Sequence, residues 1–159
     1  MGDIRRETFQ PFLLSMIEVR RITDPVVGQV AFRIRREVFV EEQGVPAEAE
    51  YDQHEAVARH FMAYADGEPA GTARWRFTEE GIKLERFAVR KPCRGRQVGS
   101  ALLEAVLDDV RQHPQYHGQP IYLHAQVTAM PLYIKFGFRT VGDLFVECDI
   151  EHYKMVIGQ

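Results

Sequence analysis

Three strand-like segments follow one another in the middle of this chain with no helical stretch between them, and a cationic, glycine-bearing loop and a helix come directly after. Residues 56–65 read as a strand stopped by Asp66-Gly67-Glu68-Pro69, a turn composition, and 70–77 and 82–89 read as two more, separated by Thr78-Glu79-Glu80-Gly81. This succession commits the middle of the chain to an antiparallel meander. Past Pro92 the period changes: Leu102, Leu103, Val106, Leu107 and Val110 fall on one helical face that ends before Pro114.

The flanking segments complete the outline. Residues 16–22 partly alternate and read as a first strand, and Asp24 or Thr23 caps a helix that has Pro25 at its first position. Val26, Val30, Ile34 and Val38 recur at four-residue spacing along that helix, which ends near Val40. Downstream, 121–126 reads as a buried strand, 128–136 as a short helix, and 138–148 and 153–157 as closing strands. Residues 1–14 have no clean period and are expected to be a flexible leader, leaving 15–159 as the one domain. With no repeat or linker, the expectation is a single α/β domain: a central mixed, mostly antiparallel, twisted sheet flanked by helices.

Composition narrows the function. A chain of 159 residues with 45% hydrophobic and 27% charged residues can bury a core without disulfide or metal help. Its longest apolar runs, such as Ala101-Leu102-Leu103, are far too short to span a bilayer, and no secretory pattern opens the chain, so a cytoplasmic protein with no membrane partner is expected. The two cysteines, Cys93 and Cys148, form no C-x-x-C pair and point to no metal site. His113 and His117 are separated by a proline and offer no helical metal face. A net charge of −3 disfavours a general nucleic-acid binder. Charge is locally uneven, however: Arg90, Lys91, Arg94 and Arg96 sit together without an acid, and residues 37–55 are rich in Glu and Asp. That acidic stretch favours a cationic acceptor.

The cationic loop is the most informative segment. A strand, then Arg94-Gly95-Arg96-Gln97-Val98-Gly99-Ser100, then a helix N-terminus, gathers unpaired backbone N–H groups and the positive end of the helix dipole, which suits a diphosphate. The competing reading is a tight turn with solvated arginines. A P-loop lysine is missing and G-x-G-x-x-G is not met, which disfavours the common nucleotide folds. A phosphate-loop nucleotide binder remains an alternative class.

These residues resemble the acyl-CoA loop of the GCN5-related N-acetyltransferase (GNAT) superfamily, R/Q-x-x-G-x-G/A, with Gln97 in place of the middle glycine. Leu132-Tyr133-Ile134-Lys135-Phe136-Gly137-Phe138 is similar to that family's second signature. Upstream, Arg36 to Asp52 resembles the R-x-x-V-F-x-x-E-Q-x-V-P segment of the ElaA-type and YjcF-type branch. Leu123-His124-Ala125-Gln126 and Asp149-Ile150-Glu151-His152-Tyr153-Lys154-Met155 resemble its A-Q strand and its closing D-G-I-P-H-x-x-M, with Asp149 and Glu151 replacing glycine and proline. The likeness covers about residues 16–157.

The resemblance implies a GNAT fold and an N-acetyltransferase that moves an acetyl group from acetyl-CoA to a primary amine of a small molecule or peptide by direct attack. The competing class is a non-catalytic acyl-CoA-binding module, in which Gln97, and Ala129 where relatives have asparagine, mark a decayed site. Dimers are common in such a family, so a homodimer is possible. By the same likeness, Arg94 to Ser100 cradle the pyrophosphate and the backbone of Phe87, Ala88 and Val89 pairs with the pantetheine arm. Glu42, Gln43, Trp75, Gln126 and His152 border the acceptor. Acyl transfer needs a neutral amine and a proton for the leaving thiolate. Tyr133 is the motif's proton donor, against a reading as an aromatic core residue. Glu85, placed by alternation on the face of Phe87 and Val89, is the candidate base or amine anchor. Its alternative is a strand pair with Arg74 or Arg76.

Overall fold

The computed structural model describes residues 16–158, so the expected leader lies outside the described residues. Seven strands form one sheet: β1 (Ile17–Arg21), β2 (Arg59–Ala65), β3 (Glu68–Thr78), β4 (Gly81–Val89), β5 (Ile121–Gln126), β6 (Arg139–Glu147) and β7 (Ile150–Ile157). Their order is β1-β2-β3-β4-β5-β7-β6. Every pairing is antiparallel except β4 with β5. The mixed, mostly antiparallel sheet read from the sequence is therefore present.

Helix α1 (Pro25–Arg35) starts where Asp24 accepts a hydrogen bond from the Val26 N–H. The expected end near Val40 is passed: the helix runs on as a π-wound segment, Arg36–Glu42, which Gly44 closes in the left-handed conformation. A one-turn helix α2 (Ala47–Glu50) follows. Residues 51–58 turn instead of opening β2, helped by the Asp52 carboxylate accepting from the His54 N–H, and β2 starts at Arg59. β7 starts three residues earlier than expected, at Ile150.

Two helical layers cover the sheet. Helix α3 (Val98–Gln112) lays Leu102, Leu103, Val106 and Val110 on one face, over Ala73, Trp75, Ile82 and Leu84. Helix α1 and the π segment cover the other face with Ala31, Ile34, Val38 and Phe39 over Met62 and Ala88. Helix α4 (Met130–Lys135) lies on the α3 side, with Tyr133 in its core.

A β-bulge places the site. Thr72 pairs with Ala88 but Arg74 pairs with Glu85, so β4 carries one extra residue, and Arg86 takes it up at φ +59°. The bulge inverts the alternation. Glu85 and Ala88 share the α1 face, whereas Phe87 and Val89 pack toward α3. The expectation that Glu85 shares a face with Phe87 and Val89 is thus corrected.

Candidate active site

β4 and β5 run side by side only at Ile82–Ile121, Lys83–Tyr122 and Leu84–Leu123. Beyond Leu84 the two strands part, and the opening is a cavity of about 720 Å³. Glu85, Arg86, Phe87 and Val89 line it from β4, Leu123, His124 and Gln126 from β5, and Tyr133 from α4. Glu42, Gln43 and Val45 wall it from the π segment and its loop, and Glu147, Cys148, Ile150 and His152 from the β6–β7 hairpin. A gap between parallel strands leaves backbone N–H and C=O groups of β4 without a partner on that side, an edge on which an extended ligand can pair.

The cationic loop stands at the mouth of this opening. Arg94 lines the cavity, donates from Nε to the Val89 carbonyl (3.0 Å) and forks onto the Glu42 carboxylate (2.8 and 3.0 Å). Gly95 is left-handed at φ +77°. Gln97, where the motif has glycine, also adopts the left-handed conformation, φ +67°, and caps α3 without a side-chain hydrogen bond. The first turn of α3, Val98, Gly99 and Ser100, carries no acid, so its N–H groups and dipole are available to an anion. Val98 itself is buried in the core, and Gly99 lets α3 approach α4, since a Cβ there would sit 3.2 Å from Leu132 Cδ2. Arg96 bonds Asp66 (2.7 Å). Ala88 is buried toward α1 and offers only backbone.

Of the expected acceptor residues, Glu42, Gln43, Gln126 and His152 line the cavity, and Gln126 donates to Gln43 Oε1 across it (2.8 Å). Trp75 does not, which corrects that expectation. It is wholly buried on the α3 face, its indole N–H donating to Asp109 (2.8 Å), because it alternates with Arg74 and Arg76 across β3.

Glu85 reaches the cavity but is engaged. Its carboxylate accepts from the buried Arg74 guanidinium and from Arg76 Nε (2.6 Å). Burial would push this carboxyl up, yet the two arginines outweigh it and hold it below its ordinary value. A carboxylate so stabilised is a poor base, so the strand-pair alternative describes Glu85. Asp52, Glu55 and Glu50 join the same network through Arg74, Arg35 and Arg86. Glu37 pairs with Arg90. The acidic stretch 37–55 is thus largely spent on arginines of this chain, which removes its support for a cationic acceptor.

Tyr133 makes edge contacts with Phe87 and Phe138, at ring distances of 6.0 and 5.9 Å, and burial pushes its phenol up, keeping it protonated. Among the cavity residues that sequence reasoning missed are Lys83, Arg86, His124 and Glu147. His124 shares the alternation phase of Gln126 and was within reach of that signal. Lys83 shares the phase of Glu85 in the same way, whereas Arg86 depends on the bulge and Glu147 on the β6–β7 pairing.

The site is thus a mixed sheet opened at the parallel β4–β5 pair, with a helix N-terminus at the mouth and a protonated phenol in the wall, a frame that suits a bound anion beside a polar cleft. Comparison with known proteins agrees. The family model described as an acetyltransferase (GNAT) domain matches residues 22–158. YjcF of Bacillus subtilis strain 168, an uncharacterized N-acetyltransferase, is 38% identical over 127 residues, which are 79% of this chain and 89% of YjcF. The crystal structure of Escherichia coli ElaA superposes with a TM-score of 0.76 at 28% identity, over 89% of this chain and 99% of ElaA. Arabidopsis thaliana Naa50, solved with the bisubstrate analogue CoA-Ac-MVNAL, shares the fold with a TM-score of 0.65 at 23% identity, over 90% of this chain and 99% of Naa50. The chain belongs to the GNAT acetyltransferase family and is an acetyl-CoA-dependent N-acetyltransferase.

Proposed function

We propose that this chain acetylates a primary amine of a small molecule or peptide by direct attack on acetyl-CoA, with no covalent enzyme intermediate. The single observation that carries this reading is the parting of β4 from β5 beyond Leu84, which opens the sheet between the Arg94 loop that precedes α3 and a polar cleft on the opposite side. The donor lies along the free edge of β4: Arg94 to Ser100 hold its pyrophosphate, and the backbone of Phe87, Ala88 and Val89 pairs with the pantetheine arm. The thioester then faces the cleft beside Tyr133. The amine attacks the thioester carbon, a backbone N–H of the parted strand steadies the oxyanion, and Tyr133 gives its proton to the departing sulfur.

Calorimetric titration with acetyl-CoA, CoA and ATP tests the donor side, with Gly99→Glu as the variant that pushes a bulky anion into the Leu132 contact and the phosphate cradle. Acetyl-CoA and CoA are expected to bind, ATP not, and the variant to lose both. A thiol-release assay over a panel of primary amines completes the test. Donor binding without amine-dependent thiol release would leave a non-catalytic acyl-CoA-binding module and overturn the proposal.

A further inference from the structure

With Glu85 engaged by two arginines, the proton lost by the attacking amine needs another acceptor, and the acceptor wall holds one already oriented. His152 lies on β7 opposite Gln126 of β5, on the sheet face turned away from α3, because Leu123, Ala125 and Met155 of the same strands fill the α3-side core. It lines the cavity while being 92% buried, at 8% exposure. Its ring stacks on Phe145 at 5.6 Å and 19°, and its Nδ1 lies 2.7 Å from the Ile150 carbonyl, which can only accept. The proton is therefore on Nδ1 in the neutral ring, and the lone pair is on Nε2, the edge left for the cleft. Among the described residues Nε2 has no protein partner. His124, the other cavity imidazole, is built differently: its Nδ1 is buried without a hydrogen bond and lies 3.7 Å from the Glu147 carboxylate, so an acid and not a backbone carbonyl biases its proton.

We propose that His152 is the general base of the acetyl transfer, a reading that rests on the proposed function above. The amine nitrogen forms its bond to the thioester carbon and an N–H proton passes to His152 Nε2. The C–S bond then breaks, its electron pair leaves on sulfur, and the Tyr133 proton joins the thiolate. Solvent returns the imidazolium proton to the tyrosinate, so the net reaction is amine plus acetyl-CoA giving amide plus CoA thiol. Ile150 acts as the positioning group through its carbonyl, and Phe145 holds the ring plane. The charged and titratable groups that share the cavity with His152 are His124 from β5, Glu147 and Cys148 from the β6–β7 hairpin, Lys83, Glu85 and Arg86 from β4, Glu42 from the π segment, Glu50 from α2, Arg94 from the cationic loop and Tyr133 from α4, and Lys154 lies two residues along its own strand.

The test compares two small amines in the thiol-release assay: ethylamine, a strong base, and hydroxylamine, which is neutral at the assay pH and needs less help to lose its proton. His152→Gln is expected to lower ethylamine-dependent turnover about 100-fold and hydroxylamine-dependent turnover far less, with acetyl-CoA affinity by calorimetry unchanged. The acidic limb of the pH profile is expected to vanish in that variant and to survive in His124→Gln, and added imidazole to restore part of the activity of His152→Ala. Nitrogen-edited NMR of the unmodified protein with acetyl-CoA bound is expected to find the His152 proton on Nδ1. A proton on Nε2, equal losses for both amines, or an acidic limb that follows His124 overturns the assignment. A protein that binds acetyl-CoA but releases thiol with no amine of the panel above overturns the acetyl-transfer reading and this assignment with it.

Discussion

Single side chains in this protein divide by what their neighbours leave free. Tyr133 has a phenol that burial keeps protonated beside the cleft, which suits a donor and not a base. Tyr133→Phe is expected to lower kcat about 100-fold while acetyl-CoA affinity holds, which a thiol-release assay and calorimetry together would show. Glu85 is the opposite case. Glu85→Gln removes one of the three carboxylates around the wholly buried Arg74 and leaves Asp52 and Glu55 to balance it, so the expected loss is about 1–3 kcal/mol of stability in urea unfolding. A catalytic base would instead cost activity at unchanged stability. Gln97 occupies a left-handed position that disfavours any residue with a Cβ. Gln97→Gly is expected to stabilise the protein by about 0.5 kcal/mol, the relief of that conformation less the added freedom of the unfolded chain, measurable as a rise in Tm.

At the scale of elements, β4 determines the geometry of the site. Its bulge at Arg86 turns Glu85 toward the arginine network and Phe87 and Val89 toward α3, and its parting from β5 frees one backbone edge. If that edge receives the donor, amide hydrogen exchange in residues 85–89 is expected to slow on adding acetyl-CoA, and exchange in β1, at the far side of the sheet, to stay as it was. The bulge also brings the β4 backbone close to β3. A Cβ at Gly71 would sit 2.9 Å from the Ala88 carbonyl oxygen and 3.1 Å from Leu102 and Val98, so Gly71→Ala is expected to cost about 1–3 kcal/mol in the same urea assay.

Across the whole molecule, the fold is pinned by two apolar layers and by a charge network under the cleft. Asp52, Glu55, Glu85 and Asp109 all have carboxyls held below their ordinary values, because arginines and, for Asp109, the Trp75 indole outweigh the burial that pushes them up. Groups with a depressed folded-state pKa stabilise the fold above the unfolded values, about 3.9 for Asp and 4.3 for Glu, and lose that contribution as pH falls through the folded values. Tm is therefore expected to respond little to these four groups between pH 7 and 5 and to drop steeply below about pH 4, as a calorimetric scan against pH would record.

Much of this was legible in the sequence, and the reason is local. Periods of two and of 3.6 residues, proline and glycine punctuation and the Asp24 cap act within a few residues, so the meander, α3, β5 and α4 were all readable. The cationic loop was readable for the same reason, whereas Gln126 and His152 came from the family resemblance alone. Tertiary structure alone decided the rest. One extra residue in β4 is invisible until β3 is laid beside it, yet it changes which face Glu85 occupies. Trp75 looks like a cleft aromatic until α3 supplies Asp109. The acids of 37–55 look like bait for a cation until Arg35, Arg74 and Arg86 fold onto them. Each of these outcomes depends on which distant group arrives to satisfy a buried polar atom or charge, and that pairing exists only once the strands and helices are assembled.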